Sequence, residues 1–243
     1  MLFSLLSVGD PITALIQILI LVPVILFSLS AHEAAHGYAA WKCGDPTAHN
    51  LGRITLNPKK HLDPIGALCM LVFGYGWAKP VPINTRYFRN PKKGMAISAA
   101  AGPLANLLLG VLNAILLGFV TALWNFVYHR FSAEFLLTAL YWVATICRLG
   151  AFYNFLFMAF NLIPVPPFDG SRIAFAFLPQ KYYFAIMRYE QYIMIGLLVG
   201  LMLVSRLFSF SPFSWLAKEL TDLIEQPIRD IFWNHFFLKI LVT

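Results

Sequence analysis

His32, Glu33 and His36 stand in the run His-Glu-Ala-Ala-His at residues 32–36. A helix turns about 100° per residue, so histidines four apart lie on one face, one turn apart. Both imidazoles can then hold a single Zn²⁺ while the glutamate beside them reaches a water at the metal. With this chain's own His and Glu frequencies, chance would give such a pattern in roughly three of a thousand such sequences. Two histidines and a glutamate inside an apolar helix are also costly to bury without a use. A catalytic zinc generally has three protein ligands and one open position, and no third His or Glu follows in the same helix. Asp169 is the best candidate for the third ligand. It is the only acidic residue between Glu134 and Glu190, and Pro164, Pro166 and Pro167 end the preceding helix and bend the chain, with Gly170 permitting a sharp turn. His61 and His49 are the alternatives; His61 and Asp63 read first as solvated or supporting groups.

The elements that must position these groups are apolar. The 243 residues are 59% hydrophobic and 12% charged, against about 25% charged in soluble domains. Runs without Asp, Glu, Lys or Arg cover residues 11–32, 64–78, 94–129, 149–168 and 191–205, several long enough to cross a bilayer, which takes roughly 17 to 25 residues. Disorder, collagen, coiled coil and a secreted disulfide scaffold are excluded; Cys43, Cys69 and Cys147 read as small core hydrophobes. The net charge of +7 does not point to nucleic acid, because nine of the eighteen Lys and Arg fall between Lys42 and Lys93. That pattern flanks a membrane and marks its cytoplasmic side.

These observations predict an all-α polytopic membrane protein, a bundle of about four to six transmembrane segments forming a single domain over 1–243. The first span runs from about Pro11 to Trp41; it is uncleaved, with the amino terminus outside. Residues 44–61 read as a small β-hairpin around Arg53 to Leu56, and 64–78, too short to cross between two basic flanks, as a short or re-entrant element. Spans at 94–124 and 135–162 follow. Gly102, Asn106, Gly110 and Ala114 recur every four residues in the first of these and allow close helix approach. Asn106 and Asn113, like Asn154 and Asn161, share a helix face and suit interhelical hydrogen bonds. Arg148, in mid-span, is expected to face protein or water. A last span covers 189–208, and an amphipathic tail helix with Leu216, Leu220 and Leu223 on one face leads to a second apolar helix after Pro227.

The chain resembles the site-2 proteases, intramembrane zinc metalloproteases. The matching residues are the His32–His36 motif, GDPTA at 44–48, LNPKKHLDPIG at 56–66, GWAKPVPIN at 76–84, GPLAN at 102–106 and NLIPVPPFDG at 161–170. The form is compact, without a PDZ or nucleotide-sensing domain. The resemblance implies a catalytic core over about 11–172, with one Zn²⁺ per chain held by His32, His36 and Asp169, and Glu33 as the acid/base. Asn161 looks like the family's asparagine near the active site that stabilises the oxyanion. It implies an endopeptidase that cuts membrane-protein substrates in or near a transmembrane helix, at the cell membrane, with the active site near the cytoplasmic face. The partners are then such a substrate and the lipid bilayer, with no nucleic acid, and self-association is left open. The hairpin and the Trp77–Asn84 stretch offer a strand edge for an unwound substrate. The competing classes are a transporter, disfavoured by the absence of an inverted repeat, and an inactive scaffold, which has no use for Glu33.

Overall fold

The computed structural model describes residues 11–73, 78–131, 133–179, 181–182, 186, 188–208, 215, 218–223 and 226–227. Helix α1 covers Pro11–Lys42, α2 Thr47–Asn50, α3 Pro64–Phe73, α4 Pro91–Arg130, α5 Glu134–Asn161, α6 Asp169–Phe175 and α7 Glu190–Phe208. Single 3-10 turns lie at Pro58–Lys60 and Thr85–Tyr87. Among the described residues three helices, Leu15–Lys42 within α1, α4 and α5, are long and apolar enough to cross a membrane. They are apolar all round: Leu19, Phe27, Leu104, Leu108, Phe119 and Tyr141 are exposed, and a surface of that kind is solvated by lipid better than by water.

α4 is the centre of the bundle and packs on α1, α5 and α6. Asn90 starts it, its side chain accepting from the Lys93 N–H, with Pro91 in the first turn, where a missing N–H leaves nothing unsatisfied. The small-residue stripe is the seam. A Cβ at Gly110 would sit 2.6 Å from Phe155 Cε1, and Ala114 packs with Ala151 and Phe155 in a fully buried cluster. Small residues bring the backbones of α4 and α5 together where lipid offers no hydrophobic gain.

The expected hairpin is absent: no strand occurs among the described residues. Alternation over Arg53–Leu56 suggested one face for a sheet, but Arg53 is buried and Leu56 exposed, because the arginine reaches the carbonyls of Lys79 and Pro80. Asp45 also diverts the chain. Wholly buried, it accepts from the Thr47 N–H and hydroxyl and starts α2, which Gly52 closes at φ +61°. Within the expected short element 64–78, the described residues Pro64–Phe73 form α3, and 74–77 lie outside the described residues.

α7 covers the residues expected as the last span, but it is not among the three helices long and apolar enough to cross, so the described residues show three such helices where four to six were expected. In the tail, 218–223 are helical and Leu220 packs against the Ala114 cluster, but Leu223 is exposed. The amino-terminal ten residues, Trp77, Leu216 and the helix expected after Pro227 lie outside the described residues.

Candidate metal centre

His32 and His36 lie one turn apart on α1, their rings edge to face with centroids 4.5 Å apart. Asp169 opens α6 after a turn in which Pro166–Pro167 is cis. Gly170 is needed there, though not for its φ: a Cβ would come within 2.6 Å of the Ile163 carbonyl oxygen, so it allows the start of α6 to fold back against the end of α5. Asp169 Oδ2 thereby lies 3.1 Å from His32 Nε2 and 3.2 Å from His36 Nε2. The two Nε2 atoms are 2.9 Å apart, and all three side chains are buried. They form a group of metal-capable side chains converging on one point.

The imidazole protons point away from that point. His36 Nδ1 donates to the Ser98 carbonyl at 2.7 Å, a group that can only accept. His32 Nδ1 donates to Asn106 Oδ1 at 2.5 Å. The Asn106 amide is oriented in turn, since its Nδ2 donates to Asn154 Oδ1 at 2.8 Å and Asn154 Nδ2 donates to Ser28 Oγ and the Gly150 carbonyl. With both Nδ1 atoms protonated, both Nε2 atoms present bare lone pairs. Asp169 Oδ2, buried and without a hydrogen bond, adds a third acceptor. Three acceptors converging with no donor between them are a poor protein interior and a good cation site.

Gly102 lets α4 approach both imidazoles, because a Cβ there would stand 2.5 Å from His36 Nε2 and 2.6 Å from His32 Cε1. Glu33 turns to the adjacent face, where its Oε2 accepts from the Val81 N–H at 2.8 Å.

The remaining expected residues fall elsewhere. Asn161 ends α5 and its amide donates to its own helix, at the Phe157 carbonyl; among the described residues no hydrogen bond joins it to the trio. His61 is buried with Nε2 on the Thr55 carbonyl, and His49 is exposed and stacked on Trp41. Arg148 is exposed. Asn106 and Asn154 do bond between helices as expected, but the orienting role of Asn106, the Ser98 carbonyl and the Val81 N–H were missed. The one signal available was the position of Asn106 one turn after Gly102, within GPLAN.

Residues 20–204 match peptidase family M50, the site-2 protease family. The chain belongs to this family. Among its curated relatives, "Putative zinc metalloprotease YwhC" of Bacillus subtilis is 39% identical over 153 residues, 63% of this chain and 66% of that protein. "Putative zinc metalloprotease Rip2" of Mycolicibacterium smegmatis is 34% identical over 151 residues, 60% of this chain and 52% of that protein. Rip2 of Mycobacterium tuberculosis, under the same printed name, is 27% identical over the same length. The chain thus matches between half and two thirds of the length of these relatives. No solved structure matches it.

Proposed function

We propose that this M50 family member is a zinc-dependent intramembrane endopeptidase, with His32, His36 and Asp169 holding one Zn²⁺ and Glu33 carrying the proton. The observation behind this reading is the convergence of two bare Nε2 atoms and a hydrogen-bond-free carboxylate oxygen within the bundle. Zinc supplies a charge that acidifies a nearby water and polarises the scissile carbonyl. The protein supplies the rest. Asn106 and Ser98 hold the imidazoles in the tautomer that frees Nε2, and the Gly102 backbone leaves room beside them. Glu33 keeps Oε2 on the Val81 N–H and leaves Oε1 to take a proton and return it to the leaving amine.

A substrate helix hides its peptide bonds in hydrogen bonds, so the substrate is a membrane protein whose transmembrane segment unwinds at the site. The charge distribution supports a site at the cytoplasmic face. Lys42 ends α1 a turn and a half beyond His36, and Lys92 and Lys93 open α4 just before Ser98, where short cytoplasmic loops collect Lys and Arg.

Zinc content and cleavage of a transmembrane test peptide, measured on detergent-purified protein, test the proposal. The wild type should hold one zinc per chain and cleave. His32→Ala and Asp169→Ala should lose both, and Glu33→Gln should keep zinc and lose cleavage. Cleavage by Glu33→Gln would overturn the mechanism, and a wild type that refuses added zinc would favour the scaffold.

A further inference from the structure

Glu33 is held from outside its own helix. Its partner, the Val81 N–H, belongs to residues 78–84, a stretch without regular secondary structure that crosses α1. Val81 is buried and comes close because Gly37, one turn beyond Glu33, has no side chain. A Cβ at Gly37 would lie 3.2 Å from Val81 Cγ1.

Both sides of this strap are tied to the loop that follows α1. The Lys79 N–H donates to the His61 carbonyl at 2.8 Å. The Lys79 and Pro80 carbonyls accept from Arg53 Nη2 at 2.8 and 3.2 Å. The Asn84 N–H donates to Asp45 Oδ2 at 2.6 Å. Burying a guanidinium against two neutral carbonyls is a costly way to hold a loop, so the position of that loop must matter. Pro80 and Pro82 have no N–H, and the donors of Lys79, Val81 and Asn84 are committed to these partners and to Glu33.

We propose that Arg53 is a positioning residue for catalysis: through the Lys79 and Pro80 carbonyls it fixes the strap so that the Val81 N–H holds one oxygen of the Glu33 carboxylate and leaves the other toward the site. The proposal rests on reading Glu33 as the proton carrier. It accounts for the site's asymmetry, in which the metal-capable residues are braced by α4 within the bundle while the proton carrier is braced by a strap beside it. A proton carrier that swings free loses rate even when the substrate is bound, because an ångström of misplacement can cost up to about a hundred-fold.

Three variants, Arg53→Gln, Arg53→Lys and Val81→Pro, are compared with the wild type for zinc content, kcat and KM on a transmembrane test peptide. Hydrogen exchange over 78–84 is followed in the zinc-loaded proteins, with Glu33→Ala added. Arg53→Gln should keep one zinc per chain, lose about ten- to a hundred-fold in kcat and leave KM within about two-fold. Arg53→Lys, which keeps a charged donor on a different stem, should recover part of the loss. Val81→Pro removes the N–H itself and should match Arg53→Gln, and the double variant should be no worse than either single one. The Val81 amide should be protected in the wild type and exchange at least ten-fold faster in both Arg53→Gln and Glu33→Ala.

Wild-type kcat in Arg53→Gln would overturn the proposal, as would loss of zinc together with activity or a rise in KM alone. Val81 exchange indifferent to both Arg53 and Glu33 would overturn it even where a variant fails to fold, since Glu33→Ala probes the strap from the opposite end. Failure of the protease reading looks different: the zinc-loaded wild type itself leaves the peptide intact.

Discussion

Asn106 shows how much a single side chain settles here. Its Oδ1 takes the His32 proton and its Nδ2 is spent on Asn154, so the asparagine sets which imidazole nitrogen faces the site. Asn106→Ala should weaken zinc binding by about 10- to 100-fold, the usual effect of removing a partner that orients a ligand, while the helices stay folded; competition titration with a chelator measures it. Gly102→Ala should do more, because its methyl would occupy the space of both imidazoles, and the purified variant should carry little metal. The His-Glu-Ala-Ala-His run was legible from spacing alone, since ligand geometry on a helix is local. Asp169 was legible as the solitary acid between Glu134 and Glu190, just after the prolines that end α5. The bracing of Glu33 was not, because Val81 lies forty-eight residues away and donates through its backbone, which carries no residue-specific signal.

Among the elements, the α4–α5 seam and the strap carry the architecture. Phe155 is fully buried against Gly110, and α5 leads directly into the turn that delivers Asp169. Gly110→Ala should push Phe155 aside and cost about 1–3 kcal/mol through overpacking, seen as a lower melting temperature in detergent, with partial recovery when Phe155→Leu is added. The seam was readable in the sequence because a four-residue recurrence of small residues is a helical signal. The segment after α1 misled because alternation assumes that an apolar side chain is the buried one, whereas Arg53 is buried there and Leu56 is not. A tertiary demand on a charged residue overrides a local pattern, and no window of neighbouring residues reveals it.

Across the described residues, three long apolar helices carry a buried polar core at the level of residues 28–36, 98–106, 154 and 169, and acid should empty the cation site at its centre. Protons compete with the metal for all three converging groups, His32, His36 and Asp169. Zinc content after equilibration against a weak chelator should therefore fall steadily as the pH is lowered. Zinc content indifferent to pH would remove these groups as its ligands. The division of the three converging groups between residues 32–36 and residue 169 also has a consequence in time. A ribosome finishes His32 and His36 more than a hundred residues before it reaches Asp169, and α4, which fixes both imidazoles, emerges between them. A half-made chain can have its first helix in place and still lack the third converging group, so the order of synthesis leaves the cation site incomplete until α6 has been made.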